Sequence, residues 1–87
     1  MDFTIAGLQS GPYEPHQTYE ERMEQLSRHL EESVTPGSVQ LVVFPELMTV
    51  PYKSVLRDDS YFDLAEPLEG PTLSWLSRQS VKYQAAM

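Results

Sequence analysis

The run Val39-Gln40-Leu41-Val42-Val43-Phe44 stops at Pro45, and Glu46 follows directly. No other stretch constrains the fold as tightly. The run is β-branched and apolar with almost no polar interruption, which suits a strand buried on both faces, as in a parallel sheet. Proline has no backbone N–H to give to a ladder, so pairing ends there. Glu46 is therefore held at the carboxyl end of a rigid strand, where open α/β sheets bind their ligands. A carboxylate set among apolar side chains has its pKa raised toward neutrality and can serve as a general base. The same residue could equally cap a strand-to-loop turn in any α/β domain, and three residues do not choose between the two.

The flanking pattern supplies the rest of a crossover unit. Residues 3 to 9 read as a first strand, and Ser10 to Gln17 as a loop carrying Gly11, Pro12 and Pro15. Thr18 with Glu21 three residues on is a capping box. Tyr19, Met23, Leu26 and Leu30 recur at intervals of four, three and four, one face of a helix over Tyr19 to Ser33 that ends before Pro36-Gly37. Strand, helix and strand in that order imply parallel strands joined by a right-handed crossover. Leu47 to Tyr52 reads as irregular, and Ser54 to Leu64 holds one short helix or none. Pro71 suits the first position of a second helix. Leu73, Leu76 and Tyr83 fall near one face of it, and Trp75 falls off that face. A third strand is expected to follow. The fold class is α/β, in β-α-β-α order, with the far face of the second strand uncovered and open to association.

Composition narrows the function classes. The 87 residues carry a formal net charge of −7, and the six basic residues are scattered, which argues against a nucleic-acid partner. Glu20, Glu21, Glu24, Glu31 and Glu32 mark a solvated face of the first helix. No apolar run approaches the ~20 residues of a membrane span, and the amino terminus lacks a signal-peptide pattern, so the expected location is cytoplasmic. There is no cysteine, hence no disulfide and no thiolate metal site. His16 and His29 have no partners at ligand spacing, so no metal is expected. Asp58, Asp59 and Asp63 lack the glycine and final glutamate of a calcium loop. No serine lies in a Gly-x-Ser-x-Gly turn, and Ser10-Gly11-Pro12 is not a phosphate loop. Tyr52, six residues past Glu46, could fold over the same pocket to contact substrate or hydrogen-bond the base, or simply pack its ring on the loop. Lys53 could pair with Glu46, or stand in solvent.

Phe44-Pro45-Glu46 followed by Pro51-Tyr52 resembles the nitrilase superfamily of carbon-nitrogen hydrolases. The likeness extends to Phe3-Thr4-Ile5-Ala6-Gly7-Leu8-Gln9-Ser10, similar to that family's first strand. It also takes in Leu68-Glu69-Gly70-Pro71-Thr72, similar to the opening of its second large helix. It spans roughly residues 3 to 84. The resemblance implies an α-β-β-α sandwich several times longer than this chain, with residues 1–87 its incomplete amino-terminal part. It implies that Glu46 is the general base, relaying a proton from a cysteine thiol that attacks a carbonyl or nitrile carbon, and that a lysine stabilises the intermediate. Tyr52 would lie at the substrate. The substrate would be a small non-peptide amide, carbamoyl compound or nitrile, handled without metal or organic cofactor, in a protein that commonly forms homo-oligomers.

Two parts of that triad have no match. The cysteine is absent, and Lys53 and Lys82 do not have the family lysine's surroundings. The chain alone is therefore expected to be inactive, because losing the nucleophile of a triad costs around 10⁴ to 10⁶ in rate. The alternative is a non-catalytic product, a truncated isoform or an acidic interaction module that retains the strand-helix-strand core.

Overall fold

The computed structural model describes residues 2–14, 16–45, 48–49 and 65–87. Four elements follow one another: β1 (Ile5–Gly7), α1 (Tyr19–Ser33), β2 (Leu41–Val43) and α2 (Pro71–Tyr83). The strands are parallel, with Ile5 opposite Leu41 and Gly7 opposite Val43. They are shorter than the apolar runs of residues 3 to 9 and 39 to 44. Pairing nevertheless reaches one residue further at each end, since Gln40 N donates to Thr4 O at 2.9 Å and Leu8 N to Val43 O at 2.8 Å. Pairing continues on the other side of β2. Ala86 makes a parallel bridge with Leu41, through Ala86 N to Gln40 O and Val42 N to Ala86 O, both 2.9 Å. That single bridge stands where a third strand is expected after α2, while among the described residues the sheet itself has two strands.

Helix α1 forms where its local signals place it. Thr18 and Glu21 make the reciprocal capping box, each side chain taking the other's backbone N–H. The hydrogen bonds from Thr18 hold the Glu21 carboxyl below its ordinary pKa. Met23, Leu26 and Leu30 are buried and Tyr19 half-buried. The helix ends at Ser33, and Gly37 turns the chain toward β2 with a φ of 80°, a value that favours glycine.

Helix α2 follows expectation at Tyr83, which is buried, and at Leu76, which packs half-buried on the core, and departs from it at Leu73 and Trp75. Trp75 and Tyr83 are in the core, whereas Leu73 is 45 % exposed. Trp75 Nε1 donates to Ser27 Oγ of α1 at 2.9 Å, and the indole meets the Phe44 ring edge-on at 5.9 Å between centroids. A polar acceptor for the N–H and an aromatic neighbour for the ring make this the better face to bury, so the large indole displaces the leucine.

One core joins the two helices to one side of the sheet: Leu8, Val42, Met23, Leu26, Leu30, Val34, Val39, Trp75, Tyr83 and Ala85. The strands alternate about it. Val42 is 1 % exposed and Val43 49 %. The apolar run is thus not buried on both faces within this chain. Its outer side, with Ile5 and Phe3, is the uncovered face anticipated from the two-strand arrangement. Among the described residues no helix is long and apolar enough to cross a membrane.

Candidate active site at the strand ends

The carboxyl ends of β1 and β2 lie side by side because the strands are parallel and in register. Two connections leave them: Leu8 to Gln17 after β1, and Phe44 onward after β2. Phe44 is held from below by the Trp75 ring. Four residues later Met48 is held from the side, its carbonyl accepting from Arg22 Nε at 2.8 Å. Glu46 lies in sequence midway between these two anchored positions. Glu46 itself, Tyr52, Lys53, Asp58, Asp59 and Asp63 lie outside the described residues.

Arg22 is the side chain that organises this end of the sheet. It comes from the first turns of α1, which begin where the β1 connection ends. Its residue is 1 % exposed. Besides Met48, the guanidinium donates from Nη1 to Gln25 Oε1 at 3.1 Å and from Nη2 to Ser10 Oγ at 3.2 Å. Its centre stands 5.7 Å from the centroid of the Tyr13 ring, a cation–π distance. The three acceptors it has among the described residues are neutral. Desolvation lowers the guanidinium's pKa, an effect that Tyr13 opposes. The Tyr13 phenol is pushed up by its own burial first and then by Glu20, with Arg22 pulling the other way.

The network extends outward. Gln25 Oε1 also accepts from Gln17 Nε2 at 3.0 Å, and Gln17 N donates to Glu14 O at 3.0 Å. The β1 connection is thereby stitched to α1 along its length. Among the described residues no buried side-chain nitrogen or oxygen is left without a partner. That completeness matters because an unpaired buried polar group costs about 1–3 kcal/mol.

Arg22 was not singled out from sequence, yet a signal exists. It lies three residues after Tyr19 and next to Met23, on the apolar stripe of α1, where a charge is out of place unless it has buried partners. The remaining sequence candidates lie elsewhere. His16 is exposed and His29 half-buried on α1. Lys82 sits in the last turn of α2 over the Tyr83 ring. Tyr83 O accepts from Gly37 N in the turn before β2, so Lys82 is at the opposite end of the sheet from Pro45. Among the described residues no group of three His, Asp or Glu side chains could hold a metal ion.

A separate open groove of about 260 Å³ lies between the amino-terminal halves of the helices, lined by Tyr19, Glu20, Met23, Pro71, Trp75 and Arg78. It shares no residue with the Arg22 cluster. Its far wall is braced by the Tyr19 hydroxyl against Thr72 Oγ1 at 2.7 Å.

Compared with known proteins, residues 4–87 match the model of one family, described as carbon-nitrogen hydrolase. No curated protein and no solved structure gives a significant match.

Proposed function

Since the chain belongs to the carbon-nitrogen hydrolase family, we propose that it is the base-bearing portion of an enzyme that hydrolyses a small non-peptide amide, carbamoyl compound or nitrile. Glu46 is the general base in this reading. For an amide, it takes the proton of a cysteine thiol, and the thiolate attacks the carbonyl carbon. The tetrahedral intermediate expels the amine, which leaves with that proton, and water then hydrolyses the thioester. The thiol and the stabilising lysine are not among these residues and are supplied outside them. Tyr52 lies at the substrate. The chemistry needs no metal or organic cofactor, and the expected location is cytoplasmic.

The observation that carries the reading is the pair of anchors around Glu46. Phe44 packs on Trp75 and the Met48 carbonyl is held by Arg22, at the strand end where α/β sheets place their ligands. Support for an α-β-β-α sandwich comes from the outer sheet face, where Phe3, Ile5 and Val43 are about half exposed or more. In this reading a second sheet covers them, and assembly into homo-oligomers follows the family.

The test is an amide and nitrile hydrolysis assay. Residues 1–87 alone should show no turnover. In a polypeptide that also carries the cysteine and lysine, Glu46→Gln should lower turnover by roughly 10⁴, the scale of losing one member of a triad. Full activity in that variant would remove Glu46 from the mechanism. The absence of cysteine favours a second reading, a non-catalytic interaction module. Stable, specific binding of a partner protein by residues 1–87, with no cysteine-bearing form of the protein, would select it.

A further inference from the structure

Arg22 is the buried charged side chain of the described residues, and no step of the proposed hydrolysis uses it. Burying a guanidinium sacrifices hydration, so the contacts it makes must answer for its presence. Those contacts are directional. Nε reaches Met48 O at 2.8 Å, Nη2 reaches Ser10 Oγ at 3.2 Å, and Nη1 reaches Gln25 Oε1 at 3.1 Å. Ser10 belongs to the connection leaving β1, Met48 to the connection leaving β2, and Gln25 to the helix from which Arg22 itself projects. A guanidinium is a rigid planar fork, so acceptors at its different N–H groups are fixed in both distance and angle. A flexible ammonium imposes no such geometry.

We propose that Arg22 is a positioning residue of the strand-end site, its guanidinium tying the β1 connection at Ser10 to the β2 connection at Met48. The chemical consequence rests on the reading of Glu46 as the base. The tie itself stands on the contacts of Ser10, Gln25 and Met48.

The experiment uses nuclear magnetic resonance on the full 87-residue chain, comparing the parent with Arg22→Gln and Arg22→Lys. The Met48 carbonyl carbon resonance reports the hydrogen bond directly, and the amide chemical shifts of Gly11, Tyr13 and Thr49 report the two connections. Both variants should shift the Met48 carbonyl resonance and the amide resonances of Gly11, Tyr13 and Thr49. The ladder amides of Leu8 and Val42 should change far less. Lysine should not rescue, because it keeps the charge and loses the fork. Rescue by lysine, shifts spread evenly over the whole chain, or an unmoved Met48 resonance would each overturn the proposal. Should Arg22→Gln fail to fold, Ser10→Ala reads the same tie from its far end. Shifted amide resonances at both Gly11 and Thr49 support it, and a shift at Gly11 alone refutes it. The Glu46 reading fails separately, by retained turnover in Glu46→Gln, and that result leaves the tie intact.

Discussion

The two helices of this chain begin in different ways. Helix α1 starts on a cap made from its own first turn, Thr18 and Glu21 exchanging backbone hydrogen bonds. Helix α2 starts on Gly70, which has no side chain to cap with. The carboxylate of Glu66 arches over instead, taking Thr72 N at 2.7 Å and pairing with the Thr72 hydroxyl. A Cβ on Gly70 would stand 2.8 Å from Glu66 Oε1 and 2.9 Å from Pro67 O. The glycine is there to leave room for a cap built from outside the helix. The buried faces differ in the same sense. The face of α1 follows from spacing alone, whereas that of α2 turns on where Trp75 finds Ser27 and Phe44.

If α2 is placed by tertiary contacts, its residues should lose stability in an order that spacing does not anticipate. Trp75→Ala should cost about 3–5 kcal/mol, while Leu73→Ala, at a half-exposed site, should stay within about 0.5 kcal/mol. Denaturant midpoints for the two variants decide this, and the reverse order would break the contrast. Gly70→Ala comes next, at roughly 1–2 kcal/mol, from the lost cap and the crowding against Pro67. Combined with Glu66→Ala it should cost less than the sum of the two, because both changes remove one carboxylate contact. Strict additivity in that cycle would mean Glu66 is not the cap.

For α1 the matching change is Thr18→Ala, expected to cost about 1 kcal/mol by thermal or chemical unfolding. The smallest effect is the pH dependence of that cap. Glu21 has a folded pKa below its ordinary 4.5, set first by the hydrogen bonds from Thr18. Its contribution is therefore present above pH 4.5 and is lost as pH falls through the folded value. Acid titration of stability should show this loss in the parent and not in Glu21→Gln, which has no carboxyl to protonate, whereas Thr18→Ala, which keeps the backbone N–H of position 18, should only reduce it. Tyr13 works in the opposite range. Its folded pKa is above 10.0, raised chiefly by burial, so stability should decline as pH rises past 10, and Tyr13→Phe should remove that decline.

Helix α1, its cap, its apolar stripe and the stop before Pro36-Gly37 were legible because each depends on residues within a turn or two of one another. The two parallel strands and their order were legible because an apolar run, a proline stop and a crossover helix leave few topologies. Belonging to the carbon-nitrogen hydrolases was legible from three short segments in order, and the family match over residues 4–87 agrees. The burial of β2 was only half legible. An unbroken apolar run shows that both faces avoid water, but within this chain a helical layer covers the face of Val42 and leaves Val43 at 49 % exposure.

Arg22 shows where local patterning stops. A charge on an apolar stripe signals that partners exist, but Ser10, twelve residues before it, and Met48, twenty-six after it, carry no mark of the contact. The choice of Trp75 over Leu73 and the capping of α2 by Glu66 are of the same kind. By itself the sequence determined the elements, their direction and the family, since these rest on short-range periodicity, backbone chemistry and a few ordered motifs. Tertiary structure alone decided that Trp75 rather than Leu73 faces inward on α2, and which buried cation joins the strand-end connections. Hydrogen-bond geometry and close packing are settled only when distant segments meet.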